Sequence, residues 1–409
     1  MTRGEFFAAA RRDGKGPLAG VRVVEATTTW AGPMCGCLFA DLGADVIKLE
    51  QPDGEVARRL PPLLPGRRRP LGFMHVTANR GKRSLTLDLR QSAGREIALE
   101  LLRTADVFVE NFRPGTLAGW GLGYTDVCAV KPDLVYVSIS GWGQWGPASD
   151  QAGYDPIAQA ASGWLSLNGE PDGAPVKSPT FLGDDLAGLH AAFAALAALR
   201  HRDRTGEGQQ LDVSLLDVLL FQSNGYPMLA ALGVELPRLG SQFQVAAPAG
   251  VFRCRDGWIM AGVLLDSHWK ILARALGRPE LADHPDFASA RARLERRAQV
   301  QALLADWCAP RAAAEVVECL VRERLPCAPV RSFAEAARDP HVLARDMLQE
   351  VELEDGTRAP LVGPPVKYSR TPVRLERGAP ALGAHSDEIL AELGLDPASI
   401  ARLRADRIV

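Results

Sequence analysis

Along the first half of the chain, short runs rich in apolar and β-branched residues alternate with stretches whose apolar positions recur at helical spacing. Residues 21–26 are such a run, whereas residues 93–104 have the helical spacing. Because side chains alternate between two faces of a strand but repeat every turn of a helix, the two patterns predict different elements. We predict further strands at residues 45–50, 84–89, 106–110 and 134–140, and a short helix at residues 34–42.

This alternation predicts an α/β fold with a doubly wound, mostly parallel, Rossmann-like sheet. In sheets of this kind, ligands bind in the crevice at the carboxyl ends of the strands. Four segments follow predicted strands and are therefore candidate ligand contacts: residues 27–31, 50–51, 111–113 and 140–143.

The second half has a different pattern. We predict a helix dense in Ala and Leu at residues 186–200, and a strand or a strand-to-helix passage at residues 211–217. The turn Asp256-Gly257 between two apolar runs predicts a β-hairpin, and three helical segments follow it. We therefore predict a large domain at 1–222, a linker at 223–246, a small α+β domain at 247–340, and a return segment with C-terminal helices at 341–409 that joins the large domain.

Composition excludes several function classes. The 47 basic and 49 acidic residues leave a net charge of −2, which argues against a nucleic-acid partner. The seven cysteines include no CxxC pair and the seven histidines show no metal-ligand spacing, so we expect no metal site. The apolar runs near the N-terminus and at residues 191–199 are too short for a secretory signal or a bilayer span. We expect a cytoplasmic protein without membrane contact.

Three polar motifs have competing interpretations. Residues 141–146 fit the pattern GxGxxG, but Pro147 follows and no helix opens there, so a Gly-rich turn is favoured over dinucleotide binding. The basic clusters at residues 66–69 and 81–83, with Arg90 nearby, are either solvated surface or phosphate contacts.

Two carboxylates, Asp184 and Asp185, precede the long apolar helix. An Asp at a helix start often only caps the backbone N–H groups and meets the positive end of the helix dipole. The same setting keeps a carboxylate ionised, and an ionised carboxylate in a closed pocket can attack a thioester carbonyl. The two residues alone leave both interpretations open.

Several stretches, in the same order along nearly the whole chain, resemble the class III coenzyme A (CoA) transferase family of the carnitine/bile-acid/formyl type. Ordered agreement of this kind is much more specific than any one motif. The stretches are residues 18–25, 31–33, 41–50, 81–89, 105–115, 153–155, 183–184 with Gly188, 204–209 and 382–390.

The resemblance implies an interlocked homodimer that transfers CoA from an acyl-CoA donor to a carboxylic acid acceptor. It implies that Asp184 is the nucleophile, which forms a mixed anhydride and then an aspartyl-CoA thioester, with Tyr154 and Asp155 as further catalytic residues. No permanently bound cofactor is implied, because the CoA thioester is a substrate.

CoA-binding positions also carry over from the resemblance. Trp30 and Ala31 match residues near the thioester, and the nucleotide-binding positions are Leu87, Asp88, Leu89, Arg90, Asn111, Phe112 and Arg113.

Some positions depart from the family pattern. Trp30 replaces the Gln of formyl-CoA transferase, Gln51 replaces a basic residue, and the Gly-rich lid of that enzyme has no counterpart between Tyr226 and Gly250. Oxalate is therefore not the expected acceptor.

One branch of the family, the α-methylacyl-CoA racemases, carries His where Tyr154 stands. A racemase needs a base on each face of the α-carbon, and a Tyr with an ordinary pKa of about 10 serves poorly near neutral pH. We therefore expect CoA transfer, with racemisation or another acyl-CoA reaction as the alternative. A CoA-binding protein without catalysis is a third possibility.

Overall fold

The computed structural model of the protein describes residues 1–11, 13–65 and 71–409, so the basic cluster at residues 66–69 lies outside the described part. The chain forms two compact units. The first contains Met1–Gly163, Ser178–Gly225 and His341–Val409, and the second contains Trp164–Lys177 and Tyr226–Pro340. The hydrophobic pattern of the sequence did not predict that residues 164–177 belong to the second unit.

The first eight strands along the chain correspond to predicted strands, whereas the last three were not predicted. The strands are β1 (Arg22–Ala26), β2 (Asp45–Glu50), β3 (Arg83–Thr86), β4 (Val107–Glu110), β5 (Val135–Ser140), β6 (Gln209–Ser214), β7 (Ala249–Arg253), β8 (Trp258–Gly262), β9 (Cys327–Pro329), β10 (Leu348–Glu352) and β11 (Arg358–Val362).

The remaining regular elements are α-helices and two short 3₁₀ segments, which lie at Val56–Arg58 and Pro279–Leu281. The helices are α1 (Arg3–Phe6), α2 (Ala31–Asp41), α3 (Phe73–Ala78), α4 (Ser92–Leu102), α5 (Thr116–Gly119), α6 (Tyr124–Val130), α7 (Asp155–Ala161), α8 (Trp164–Leu167), α9 (Leu182–Thr205), α10 (Leu215–Phe221), α11 (Tyr226–Ala231), α12 (Asp266–Ala275), α13 (Ala290–Glu295), α14 (Arg297–Cys308), α15 (Ala313–Arg322), α16 (Phe333–Ala336), α17 (Pro340–Ala344), α18 (Ser386–Glu392) and α19 (Pro397–Ala405).

The first six strands form one parallel sheet in the order β3-β2-β1-β4-β5-β6. The predicted α/β class with a doubly wound parallel sheet is therefore confirmed. Strands β7, β8 and β9 form an antiparallel sheet in the second unit, and β10 pairs with β11. The reversal of strand order between β1 and β4 is the place where such sheets open a crevice.

Both faces of the parallel sheet are covered, and nearly every residue of β2, β3, β4 and β5 is therefore buried. On one face, side chains of α4, α6, α18 and α19 pack against the sheet in a single apolar core that includes Ile97, Val127, Ile389 and Ile400. On the other face, α2 lies over β1, β2 and β4, and α9 lies over β5 and β6.

Some predicted bounds were wrong, for local reasons. The strand predicted to end at residue 89 ends at Thr86, after which Asp88 N–H donates to Ile408 O instead of to a neighbouring strand. Residues 211–217 divide at Ser214, whose hydroxyl accepts the Asp217 N–H at 3.0 Å and so begins α10. The predicted linker contains a helix, α11.

A fully buried ion pair lies between the sheet and α2. The ammonium of Lys82 donates to Glu25 Oε1 at 2.7 Å, to Asn79 Oδ1 at 2.9 Å and to the Pro33 carbonyl at 2.8 Å. The ammonium is thus satisfied, whereas the second oxygen of Glu25, Oε2, is buried and accepts no hydrogen bond from the described residues. Gly36 of α2 leaves the room for this pair, because a Cβ there would clash with Glu25 Oε2 and lie 3.2 Å from Lys82 Nζ.

We predict that Gly36→Ala lowers the free energy of unfolding by about 3 kcal/mol, since overpacking a tight core costs on the order of 1–3 kcal/mol and here also disturbs a buried ion pair. Urea unfolding followed by circular dichroism measures the effect. The matched control is Gly119→Ala in α5, where an added Cβ meets nothing within 4 Å. Equal midpoints for the two variants would contradict the prediction.

Candidate active site

The N-terminus of α9 is capped from another helix. Its own N-cap residue, Phe181, makes no side-chain cap. Instead Asp155, buried at the start of α7, accepts the Gly183 N–H on Oδ1 at 2.6 Å and the Gln159 amide on Oδ2 at 2.7 Å. Unpaired N–H groups at a helix start need such acceptors. The capping role considered for Asp184 is therefore filled by Asp155.

Asp184 lies in the first turn of α9 and is half-buried. Within the part of the chain that the structure describes, no group donates a hydrogen bond to its carboxylate. Burial, followed by the negative charges of Asp155 and Asp185, raises the pKa of Asp184 to about 7. This carboxylate consequently changes its charge near neutral pH.

The side chain of Asp185 is engaged by the predicted thioester-binding residue Trp30. The indole Nε1 of Trp30 donates to Asp185 Oδ1 at 2.6 Å. Burial raises the pKa of Asp185, and the indole hydrogen bond opposes that rise. The Trp30 ring packs against Phe181 and Phe73, with ring centroids 5.6 Å and 6.2 Å away. Trp30 therefore forms an aromatic wall beside the first turn of α9.

Ala31 reaches the same place through its backbone. It begins α2, and the α2 backbone passes so close to α9 that a Cβ on Gly188 would lie 2.8 Å from Ala31 O. Only glycine permits this approach. The structure thus brings Trp30, Ala31, Asp155 and Asp184 together at the N-termini of α2 and α9.

Tyr154, the third predicted catalytic residue, immediately precedes α7 and is 67 % exposed. Its neighbour Asp155 points into the protein, whereas the phenol ring lies at the surface. The two residues of this pair therefore have different environments.

A pocket of about 250 Å³ opens at the carboxyl ends of β1, β2 and β4. Four of the predicted nucleotide-binding residues line it: Leu87, Leu89, Arg90 and Phe112. The pocket is also lined by residues 27–28 and 50–51, which belong to the segments predicted to contact a ligand at the carboxyl ends of strands. One wall is aromatic, because Phe112 meets Trp120 edge to face at 5.5 Å between ring centroids.

The other predicted nucleotide-binding residues have different surroundings. Asp88 accepts both Nε and Nη2 of Arg90, at 2.8 Å and 2.9 Å, and these contacts lower the pKa of Asp88 to about 2. Asn111 pairs with the backbone of Thr28 through both its oxygen and its nitrogen, each at 2.9 Å. Arg113 is exposed.

Two further features bear on the kind of site. Across residues 1–11, 13–65 and 71–409, no group of three His, Cys, Asp or Glu side chains is placed to hold a metal ion. Among the described helices, α9 has a length and composition that would suit a membrane span, but it packs along α2 and over β5 and β6 as a core helix does.

Comparison with known proteins agrees with this geometry. Residues 18–386 match the family described as CoA-transferase family III. This chain belongs to CoA-transferase family III. The family predicted from the ordered motifs is confirmed, and the protein is a CoA-transferase.

Similar proteins match over nearly the whole chain. A succinate–glutarate CoA-transferase of Agrobacterium fabrum is 38 % identical over 385 residues, which are 93 % of this chain and 96 % of that protein. The succinyl-CoA–L-malate CoA-transferase beta subunit of Chloroflexus aurantiacus is 37 % identical over 402 residues, 96 % of this chain and 98 % of that protein. The crystal structure of a CAIB/BAIF family protein from Brucella suis has a TM-score of 0.82 at 35 % identity, covering 93 % and 100 % of the two chains.

We predict that Asp155→Ala lowers the free energy of unfolding by about 1–2 kcal/mol, the usual cost of losing a helix cap. Hydrogen exchange followed by mass spectrometry should show faster exchange at residues 182–186. The matched control is Asp396→Ala, which removes the carboxylate that accepts Ser399 N–H at 2.8 Å at the start of α19. That control should speed exchange only in α19, and unchanged protection of α9 in Asp155→Ala would contradict the assigned cap.

Proposed function

We propose that this CoA-transferase moves CoA from an acyl-CoA donor to a carboxylic acid acceptor with Asp184 as the nucleophile. One observation carries the proposal: at the start of α9, a half-buried carboxylate receives no hydrogen bond from the described residues and has a raised pKa. Oxygen atoms that are not occupied by donors keep their lone pairs for attack, and a raised pKa increases their basicity once ionised.

The reaction balances as four exchanges at carbonyl carbons. An Asp184 oxygen attacks the thioester carbonyl, and CoA leaves as the thiolate with a mixed anhydride left behind. The thiolate attacks the aspartyl carbonyl, which gives aspartyl-CoA thioester and the free donor acid. The acceptor carboxylate attacks this thioester and releases the thiolate again. The thiolate then attacks the acceptor carbonyl of the second anhydride, which yields the new acyl-CoA and restores the Asp184 carboxylate.

The neighbouring residues support these steps by position. Asp155 fixes the first turn of α9 through Gly183, and the positive end of the helix dipole favours the negative oxygen that develops at each attack. Trp30 and Ala31 border the reacting carbon, and the exposed ring of Tyr154 remains available to the bound substrate. The pocket lined by Leu87, Leu89, Arg90 and Phe112 receives the nucleotide part of CoA.

We further propose succinyl-CoA as donor and a short dicarboxylic acid as acceptor. The support is the naming of two similar proteins, which are described as a succinate–glutarate and a succinyl-CoA–L-malate CoA-transferase. Succinyl-CoA with glutarate or L-malate is therefore the first pair to assay.

The proposal includes a homodimer. Three large apolar side chains on α9 and α10 are open to solvent: Leu189 is 52 % exposed, Phe193 70 % and Phe221 76 %. Contiguous exposed apolar surface of this kind marks an interaction site. A second copy of the chain is the occupant that the family resemblance implies.

The nucleophile can be tested by trapping. After incubation with succinyl-CoA and borohydride or hydroxylamine, mass spectrometry should find the modification on Asp184, and Asp184→Asn should lose at least about 10³-fold in rate because no nucleophile remains. The control is Asp203→Asn, an exposed acid near the other end of the same helix. Full activity of Asp184→Asn would refute the assignment, and deuterium uptake at the α-carbon of a branched acyl-CoA would favour racemisation.

The pH dependence has a defined sign. Because Asp184 must be ionised to attack, kcat/KM for succinyl-CoA should fall as pH drops through about 7, the value to which burial and nearby charges raise its pKa. Asp185→Asn removes one of those charges, so the acidic limb should move to lower pH while staying above the ordinary range, since burial is the larger cause. A wild-type limb near pH 4, the ordinary range of an aspartate, would contradict this prediction.

A further inference from the structure

The loop between β1 and α2 contains a strained residue. Thr29 has a φ of 63°, in the left-handed region that β-branched residues avoid. Such a conformation costs on the order of 1–3 kcal/mol and persists only where surrounding groups hold it. The next residue is Trp30, which borders the first turn of α9. The strain therefore lies directly before a residue of the candidate active site.

Two side chains hold Thr28 and Thr29 of this loop. Glu55 Oε2 accepts the Thr29 N–H at 2.9 Å and the Thr28 hydroxyl at 3.1 Å. Asn111 holds the Thr28 backbone from the other side, accepting its N–H and donating to its carbonyl. Every one of these contacts fixes the two residues before Trp30. Neither Glu55 nor its contact with the loop was suggested by any motif in the sequence.

Glu55 is itself held in a charged, largely buried position. Its Oε1 accepts no hydrogen bond from the described residues but lies 3.9 Å from Lys48 Nζ and 3.7 Å from His75 Nδ1, both fully buried. Burial opposes ionisation, yet the charge of Lys48, the nearby His75 and the hydrogen bond from the Thr29 N–H hold the pKa of Glu55 below its usual range. The lowered pKa favours the anionic form of Glu55, and one of its oxygens is hydrogen-bonded to the loop.

The same loop joins the two parts of the site. Thr27 and Thr28 line the 250 Å³ pocket, as does Glu55, whereas Trp30 donates to Asp185 and packs on Phe181. The left-handed turn at Thr29 sets the direction in which the chain leaves the pocket. A change in that turn would move the indole away from the start of α9.

We propose that Glu55 is a positioning residue that holds the turn at Thr29 and thereby places Trp30 against Asp185 beside the nucleophile. The structural part of this proposal concerns Trp30 and Asp185 alone. Its catalytic consequence rests on the proposed function, in which Asp184 reacts with the acyl group. The expected defect in a Glu55 variant is slower acylation, with binding affected less.

The first measurement needs no substrate. The protein is labelled with 5-fluorotryptophan, and the fluorine resonance of Trp30 among the eight tryptophans is assigned by Trp30→Phe. Glu55→Ala should shift or broaden that resonance. Glu55→Gln keeps an amide oxygen for the loop and should largely restore it. The matched control is Glu335→Ala, which removes a carboxylate of the second unit that accepts the N–H and hydroxyl of Ser332 at 2.7 Å and 2.8 Å.

The second measurement is a double-mutant cycle on the rate of Asp184 adduct formation at saturating succinyl-CoA. Glu55→Ala should slow this step about tenfold in the wild-type background and change KM less than about threefold, since misplacement by a fraction of an ångström is enough for such losses. In the Trp30→Phe background, the same substitution should have little further effect. If Glu55→Ala does not fold, the cycle is run with Thr29→Gly, which lets the turn leave its left-handed conformation without the steric restriction of a β-branched side chain.

The outcomes separate the two proposals. An unchanged Trp30 resonance in Glu55→Ala, or additive effects of the Glu55 and Trp30 substitutions, would overturn the positioning role. If wild-type protein forms no adduct with succinyl-CoA while the Trp30 resonance still responds to Glu55→Ala, the proposed function fails for that donor and the positioning role stands.

Discussion

The close approach of α2 to α9 brings together the residues of the candidate active site. Gly188 lets the backbone of Ala31 press against the second turn of α9, so that two helix N-termini lie side by side above the parallel sheet. Each N-terminus presents backbone N–H groups and the positive end of a dipole. A side chain at residue 188 would separate them, and Trp30 would lose its place beside Asp185. The site is therefore a consequence of helix packing as much as of its polar residues.

Buried charged groups between the sheet and α2 help to fix the position of α2. Lys82 ties the sheet residue Glu25 to the Pro33 carbonyl in the first turn of α2, and Lys48 lies between Glu25 and Glu55. Buried ion pairs are weak contributors to stability, and well-packed apolar groups of similar volume are often as stable. What the charges provide is a fixed position: each ammonium has a small set of acceptors, and a shift of α2 would leave a buried charge unpaired.

The sequence was most informative where a pattern repeats and least where a contact is made between distant segments. The alternation of strands and helices predicted the parallel sheet. The binding of ligands at the carboxyl ends of such strands predicted residues 27–28 and 50–51, which line the pocket. The sequence did not indicate that Asp155, and not Asp184, caps the N-terminus of α9, because the acceptor of the Gly183 N–H lies on another helix. Glu55 lies in a turn between Gly54 and a 3₁₀ segment, and nothing in its neighbours indicated a bond to Thr29.

The crowding of three acids at one helix start has a consequence for the reaction cycle. In the resting site the charges of Asp155 and Asp185 disfavour the ionisation of Asp184, and the charge of Asp155 also disfavours that of Asp185. When Asp184 is acylated as proposed, it becomes a neutral anhydride or thioester, and its repulsion by Asp155 and Asp185 disappears. The covalent states therefore lack an electrostatic repulsion that returns each time the free carboxylate is regenerated. This repulsion raises the free energy of the resting enzyme and so reduces the difference in free energy between the resting enzyme and the covalent intermediate.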